Sequence, residues 1–85
     1  MVICVVGLGY VGLPLALAFS KEGIKVIGYD TSLKRIKQLQ KFIDKNGEFS
    51  KKELEKNKAL IFTNKKADIK KSNIYIITVP TPIKK

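Results

Sequence analysis

Histidine and tryptophan are absent from these 85 residues, and cysteine occurs once. Without histidine and with a lone thiol, the chain cannot assemble a zinc site from the usual nitrogen and sulfur donors. Cys4 has no partner for an internal disulfide, which suits a reducing cytoplasm. Acidic residues are scarce, 7 against 17 Lys and Arg, giving a net charge of +10. A long unbroken apolar run is missing too. The stretch from Val2 to Phe19 is interrupted by Gly7, Gly9, Gly12 and Pro14 and carries Tyr10, so it reads as strand, turn and helix rather than a membrane span. With a strand starting at the second residue, no signal peptide is expected.

What is present suffices for one small domain. Hydrophobic residues make up 45% of the chain, ample for a globular core, although 85 residues bury only a marginal one. Thirteen of the 17 basic residues fall between Lys34 and Lys71. Such a surface attracts nucleic acid, anionic membrane or a phosphorylated small molecule. Aromatics are not interleaved with the charges as base stacking requires, so a solvated lysine-rich surface is the preferred reading. Neither nucleic acid nor a membrane is expected as a partner.

Met1 to Val6 is an apolar run followed at once by glycine, the pattern of a strand covered on both faces of a parallel sheet. The spacing of Val11, Leu15, Ala18 and Phe19 predicts a helix with that face inward, with Pro14 near its start and Gly23 as its stop. Lys25 to Asp30 reads as a second strand. Thr31 or Ser32 can cap a following helix whose apolar face is Leu33, Ile36, Leu39 and Ile43. Asp44 to Glu48 is a polar loop turning at Asn46-Gly47. Ser50 and Glu53 have capping-box spacing and open a short helix. Ala59 to Thr63 is a short strand, Ala67 to Lys71 at most a helical turn, and Asn73 or Ile74 to Val79 a buried-type strand ended by Pro80 and Pro82. This alternation predicts an α/β fold, a Rossmann-type parallel sheet with helices on both faces, incomplete at about four strands.

Gly7-Leu-Gly-Tyr-Val-Gly12 stands between the first strand and the first helix, where a dinucleotide fingerprint belongs. Gly7 permits the tight turn, Gly9 lets the backbone approach a pyrophosphate, and Gly12 allows close packing of helix on strand. The amides of Tyr10, Val11 and Gly12 are expected to face the phosphates from the positive end of the helix. Asp30 lies 18 residues beyond Gly12, at the second strand's end. A carboxylate there can accept from both adenosine ribose hydroxyls and repels a 2′-phosphate, which favours NAD over NADP. Arg35 is read as flanking the adenine or pairing with the cofactor phosphates, and Lys34 as a solvated helix surface. Thr78-Val-Pro-Thr-Pro82 leaves the last strand at its carboxyl end, where ligands of open α/β sheets bind. Spacing alone leaves a ligand contact and a plain strand terminator level there.

Gly7-Leu-Gly-Tyr-Val-Gly-Leu-Pro14, Gly28-Tyr-Asp30, Arg35 and Val79-Pro-Thr-Pro82 together resemble the nucleotide-sugar 6-dehydrogenases, among them the UDP-glucose and UDP-N-acetylhexosamine enzymes. The resemblance implies oxidation of a sugar C6 alcohol to a carboxylate in two NAD-dependent steps, through a thioester on a cysteine, in polysaccharide biosynthesis. It implies cofactor contacts at Gly7, Leu8, Gly9, Tyr10, Val11, Gly12, Asp30, Arg35, Val79, Pro80, Thr81, Pro82 and Ile83. Val79 to Pro82, with Gly47-Glu-Phe-Ser50 before it, is most similar to the branch acting on UDP-N-acetylglucosamine, -mannosamine or -galactosamine. The family's catalytic cysteine, lysine and asparagine would lie beyond residue 85, as would the substrate domain and the central helix through which members form dimers or larger assemblies. Residues 1–85 are thus expected to be the first part of the NAD-binding domain, without catalytic residues and inactive alone. Cys4, between Ile3 and Val5, is a small buried hydrophobe in this reading.

Other readings stay open. The chain could serve another NAD-dependent dehydrogenase of the 6-phosphogluconate or 3-hydroxyacyl type, or a non-catalytic nucleotide-binding module. A cysteine-centred active site downstream would separate the sugar dehydrogenase from both. A basic nucleic-acid-binding fragment comes third and predicts strongly salt-dependent binding that NAD does not disturb.

Overall fold

The first strand, β1 (Val2–Val6), has β-branched side chains at four of its five positions, the composition that fits a pleated, covered surface. The chain continues through α1 (Gly12–Lys21), β2 (Lys25–Tyr29), α2 (Leu33–Gln40), α3 (Lys51–Glu55), β3 (Leu60–Thr63), α4 (Lys66–Ile69) and β4 (Ile74–Ile77). The structure is a computed structural model that describes residues 1–44, 47, 49–57 and 59–78. All strand pairs are parallel and the order is β3-β2-β1-β4. From β1 the chain steps outward to β2 and β3, then crosses back to place β4 on the other side of β1. Strand order therefore reverses between β1 and β4, a switch point where such sheets open a crevice. Register pairs Val6 with both Tyr29 and Ile77, and Tyr29 with Thr63, so the four carboxyl ends lie along one edge.

Local signals end the helices. Gly23, at φ 84°, follows α1 in the left-handed region, and its amide donates to the Ser20 carbonyl at 3.0 Å. Ser32 caps α2 by accepting from the Arg35 amide at 3.2 Å. The Ser50–Glu53 capping box is formed in both directions. At the far end of α2 the Phe42 amide reaches Leu39 and the Ile43 amide reaches Gln38, the paired bonds of a Schellman ending. Its left-handed position, φ 63°, is held by Phe42 rather than glycine.

One core joins Ile3, Val5, Val26, Leu60 and Phe62 of the strands to Leu13, Ala16 and Leu17 of α1, Ile36 and Leu39 of α2 and Leu54 of α3. A smaller cluster on the opposite face holds Cys4, Ile27 and Tyr29, with Ile69 of α4 against it. The inward face of α1 differs from the expected one. Leu13, Ala16, Leu17 and Ser20 are buried, Val11 and Ala18 are exposed, and Leu15 and Phe19 are half-buried. This helix is apolar almost all round, so periodicity could not choose a face; the close approach of Gly12 to the glycine turn sets its rotation. Leu33 and Ile43 are also exposed, leaving Ile36 and Leu39 as the buried pair of α2. β4 is not a buried strand: Ile74, Tyr75 and Ile77 are exposed, because it is the outer strand here and α4 spans only four residues. That short helix begins at Lys66, one residue before the expected turn. Asn46 and Glu48 of the expected loop, and Val79 at the expected end of β4, lie outside the described residues.

Candidate functional site

The glycine turn sits on the carboxyl edge of β1, tied to strands on both sides. The Gly7 amide donates to the Tyr29 carbonyl of β2 at 2.8 Å. On the β4 side, the Thr78 hydroxyl donates to the Gly7 carbonyl at 2.7 Å and its amide to the Val6 carbonyl at 2.8 Å. Gly7 has φ 99°, and a Cβ there would meet the Thr78 carbonyl oxygen at 2.9 Å. A Cβ on Gly12 would lie 1.6 Å from the Gly7 oxygen and 2.5 Å from the Thr78 hydroxyl. Both glycines are thus demanded by the protein's own backbone. Gly9 differs. It does not have a positive φ, and a Cβ placed on it would meet nothing within 4 Å. Nothing among the described residues requires a glycine there.

Asp30 ends β2 beside this turn. One carboxylate oxygen accepts from the Leu8 amide and the other from the Ser32 amide, each at 2.9 Å. Arg35, placed one turn into α2 by the Ser32 cap, donates through Nε to the Leu8 carbonyl at 2.9 Å. Its Nη1 pairs with Asp44 at 3.0 Å, and Nη2 is buried with no hydrogen-bond partner among the described residues. Asp44 also accepts from the Phe49 amide at 3.1 Å. Asp44 was expected on a polar loop, yet its side chain is fully buried. The chain passes through Phe42 in the left-handed region between α2 and Asp44, and the buried carboxylate is met by the Arg35 guanidinium.

An open hollow of about 470 Å³ adjoins the turn, lined by Leu8, Gly9, Tyr10, Asp30, Thr31, Ser32 and Arg35. The amides of Tyr10, Val11 and Gly12 donate to no acceptor among the described residues. No acidic residue occupies the first turn of α1 to neutralise its positive end. The expected residues from Gly7 to Gly12, Asp30 and Arg35 are therefore brought together. Val79, Pro80, Thr81, Pro82 and Ile83 lie outside the described residues. Cys4 is fully buried behind the sheet, and burial, opposed only in part by the Ser72 hydroxyl, pushes its thiol pKa up. Among the described residues no cluster of acidic or thiol side chains could hold a metal ion.

Three participants were not foreseen. Thr78 was noted only as the start of a loop, the Ser32 amide not at all, and Asp44 only as part of a polar loop. A hydroxyl beside a glycine turn signals little in sequence, because its partner Gly7 is 71 residues away.

Residues 1–85 match the family model described as "UDP-glucose/GDP-mannose dehydrogenase family, NAD binding domain". The chain belongs to this family. Within the UDP-glucose/GDP-mannose dehydrogenase family, it is 49% identical over 81 residues to a UDP-N-acetyl-D-glucosamine 6-dehydrogenase of Salmonella typhi, covering 95% of this chain and 19% of that one. It is 42% identical over 86 residues to a UDP-N-acetyl-D-mannosamine dehydrogenase of Methanococcus vannielii, covering 94% and 19%. Among solved structures of the family, a GDP-mannose dehydrogenase ternary complex from Pseudomonas aeruginosa superposes with a TM-score of 0.88 at 32% identity, covering 100% of this chain and 21% of that one. A UDP-D-ManNAc dehydrogenase from Pyrococcus horikoshii gives 0.82 at 38% identity, covering 99% and 21%. The chain spans about a fifth of the length of these relatives. The fold is that of the family's NAD-binding domain, and NAD is its cofactor.

Proposed function

We propose that the chain is the first part of the NAD-binding domain of a UDP-N-acetylhexosamine 6-dehydrogenase and holds the cofactor at its glycine turn. The observation that carries this reading is Gly9. Gly7 and Gly12 answer to contacts within the protein, whereas the space left open over Gly9 among the described residues supports a group from outside it. The amides of Tyr10, Val11 and Gly12 would bind the pyrophosphate at the positive end of α1. Leu8 would contribute through its anchored backbone. Each Asp30 oxygen has accepted one backbone amide and retains a lone pair for a ribose hydroxyl, while its charge disfavours the 2′-phosphate of NADP. Since Nε and Nη1 of Arg35 are engaged within the protein, its guanidinium plane would flank the adenine. Val79, Pro80, Thr81, Pro82 and Ile83 would complete the cofactor contacts from the β4 side.

Bound NAD supplies the hydride acceptor for oxidation of a sugar alcohol. The chain's own part is to bind and orient that acceptor. Cys4, buried and with its thiol pKa raised, has no nucleophilic role, so residues 1–85 are inactive alone. The relatives acting on UDP-N-acetylglucosamine and UDP-N-acetylmannosamine support a UDP-N-acetylhexosamine substrate over UDP-glucose. Assembly into dimers or larger and a cytoplasmic location belong to the same reading, with no nucleic-acid or membrane partner. Among the described residues no helix is long and apolar enough to cross a membrane.

Replacement of Gly9 with valine tests this directly. The variant should keep the parent's circular dichroism spectrum yet bind NAD at least about tenfold more weakly by calorimetry, a loss of about 1.4 kcal/mol or more. A folded Gly9→Val protein that binds NAD within twofold of the parent would make the turn purely structural and overturn the proposal.

A further inference from the structure

We infer that Asp44, on the loop behind α2, is a positioning residue for cofactor binding, acting through Arg35 on the peptide between Leu8 and Gly9. This rests on the proposal that the glycine turn receives the pyrophosphate. The Leu8 carbonyl and the Gly9 N–H belong to one planar peptide unit and, in the trans form, point in opposite directions. Arg35 donates to that carbonyl at 2.9 Å, so it also aims the Gly9 N–H. A peptide followed by glycine rotates easily, because the residue after it has no Cβ to restrict φ and ψ. The Leu13 amide holds the Gly9 carbonyl on the far side, and the Arg35 bond holds the peptide between Leu8 and Gly9.

Arg35 in turn needs a partner. Its side chain is 12% exposed, and a buried guanidinium without a counter-charge is costly. Asp44 provides that charge at 3.0 Å while its other oxygen accepts from the Phe49 amide, which fixes the carboxylate in the loop. The arrangement uses separate guanidinium nitrogens, Nε for the Leu8 carbonyl and Nη1 for Asp44. A planar, rigid donor fork can serve both at once, whereas a lysine ammonium offers no such geometry. Asp30 secures the other side of Leu8 through its amide. The loop that delivers Asp44 depends on Phe42 in the left-handed region, a conformation that an L side chain adopts at a cost. Strain of this kind persists where surrounding contacts over-determine it.

The test measures binding of NAD, ADP and adenosine to the folded Asp44→Asn protein, the first two by calorimetry and adenosine by NMR titration. Asparagine keeps the shape but has one acceptor oxygen for two donors. We expect at least fivefold weaker binding of NAD and ADP, which carry the pyrophosphate, with a clearly smaller loss for adenosine, which would meet the Arg35 plane but not the turn. In an Arg35→Met background the same substitution should produce no further loss, since the relay is already cut. Equal losses for all three ligands, or additive losses in the double variant, would leave Asp44 a structural staple and overturn the inference. If Asp44→Asn does not fold, Asp44→Ser, which keeps an acceptor for the Phe49 amide, carries the same comparison. An unmodified protein that fails to bind NAD overturns the reading of the turn and this inference with it. Normal NAD binding with an inert Asp44 substitution overturns this inference alone.

Discussion

On one face of the sheet, Ile3, Val5, Val26, Leu60 and Phe62 lie beneath three helices. On the other, among the described residues, Cys4, Ile27 and Tyr29 pack with Val2 and Val6 of their own sheet and with Ile69 of the four-residue α4. The same strands supply both faces through alternation, and both are apolar. Among the described residues the helices make the difference: α1, α2 and α3 pack on the first face, and the crossover from β3 to β4 brings the short α4 to the second. Residues paired in register share a face, so Ile61 and Ile77 belong to the second one, where they are 53% and 68% exposed. The better-covered face also carries the glycine turn's support. Leu8 is buried in its core, and Arg35 reaches the turn from α2. Stability and the geometry of the glycine turn thus draw on the same side of the sheet.

Truncation on the covered face should have the largest effect. Leu17 is 2% exposed within the main cluster, so Leu17→Ala should cost about 2–5 kcal/mol through lost burial and the cavity left behind. Urea titration would measure it, and a loss below about 1 kcal/mol would show that this face is not the principal core. A smaller effect is expected from Cys4 on the thinner face. Its folded-state pKa is raised by burial, so the unfolded chain releases the thiol proton first as pH rises. The contribution is fully present below the ordinary thiol pKa and is lost as pH climbs toward the folded value, by at most about 1.4 kcal/mol per pH unit. Urea melts between neutral and alkaline pH should fall more steeply for the parent than for Cys4→Ala; parallel curves would mean that Cys4 is accessible. Smallest of all, Ile77→Ser should change stability by less than about 0.5 kcal/mol in the same assay. A loss comparable to that of Leu17→Ala would erase the contrast between the faces.

The strand-turn-helix around Gly7, Gly9 and Gly12, the stop at Gly23, the Ser50 capping box and the carboxylate at the end of β2 were all legible in the sequence. Each depends on backbone sterics or hydrogen bonds within a few residues, and residue type alone reports those. The parallel sheet was legible too, because strands alternating with helices admit few arrangements. Which side of α1 turns inward was not legible. Val11, Leu15, Ala18 and Phe19 are as apolar as Leu13, Ala16 and Leu17, and only the contact of Gly12 with Gly7 and Thr78 chooses between them. The exposure of β4 likewise follows from its place at the sheet's edge, since Ile74 to Ile77 has the composition of a covered strand. Asp44 shows the limit most clearly. As one acidic residue in a polar loop it gives no sign of its partner, and the chain, passing through left-handed Phe42, brings it to Arg35. Local sequence determined where the chain turns and where a phosphate could sit. Tertiary structure decided which groups hold that turn in place, because the partners of Leu8 and Gly7 come from residues 22 to 71 positions away.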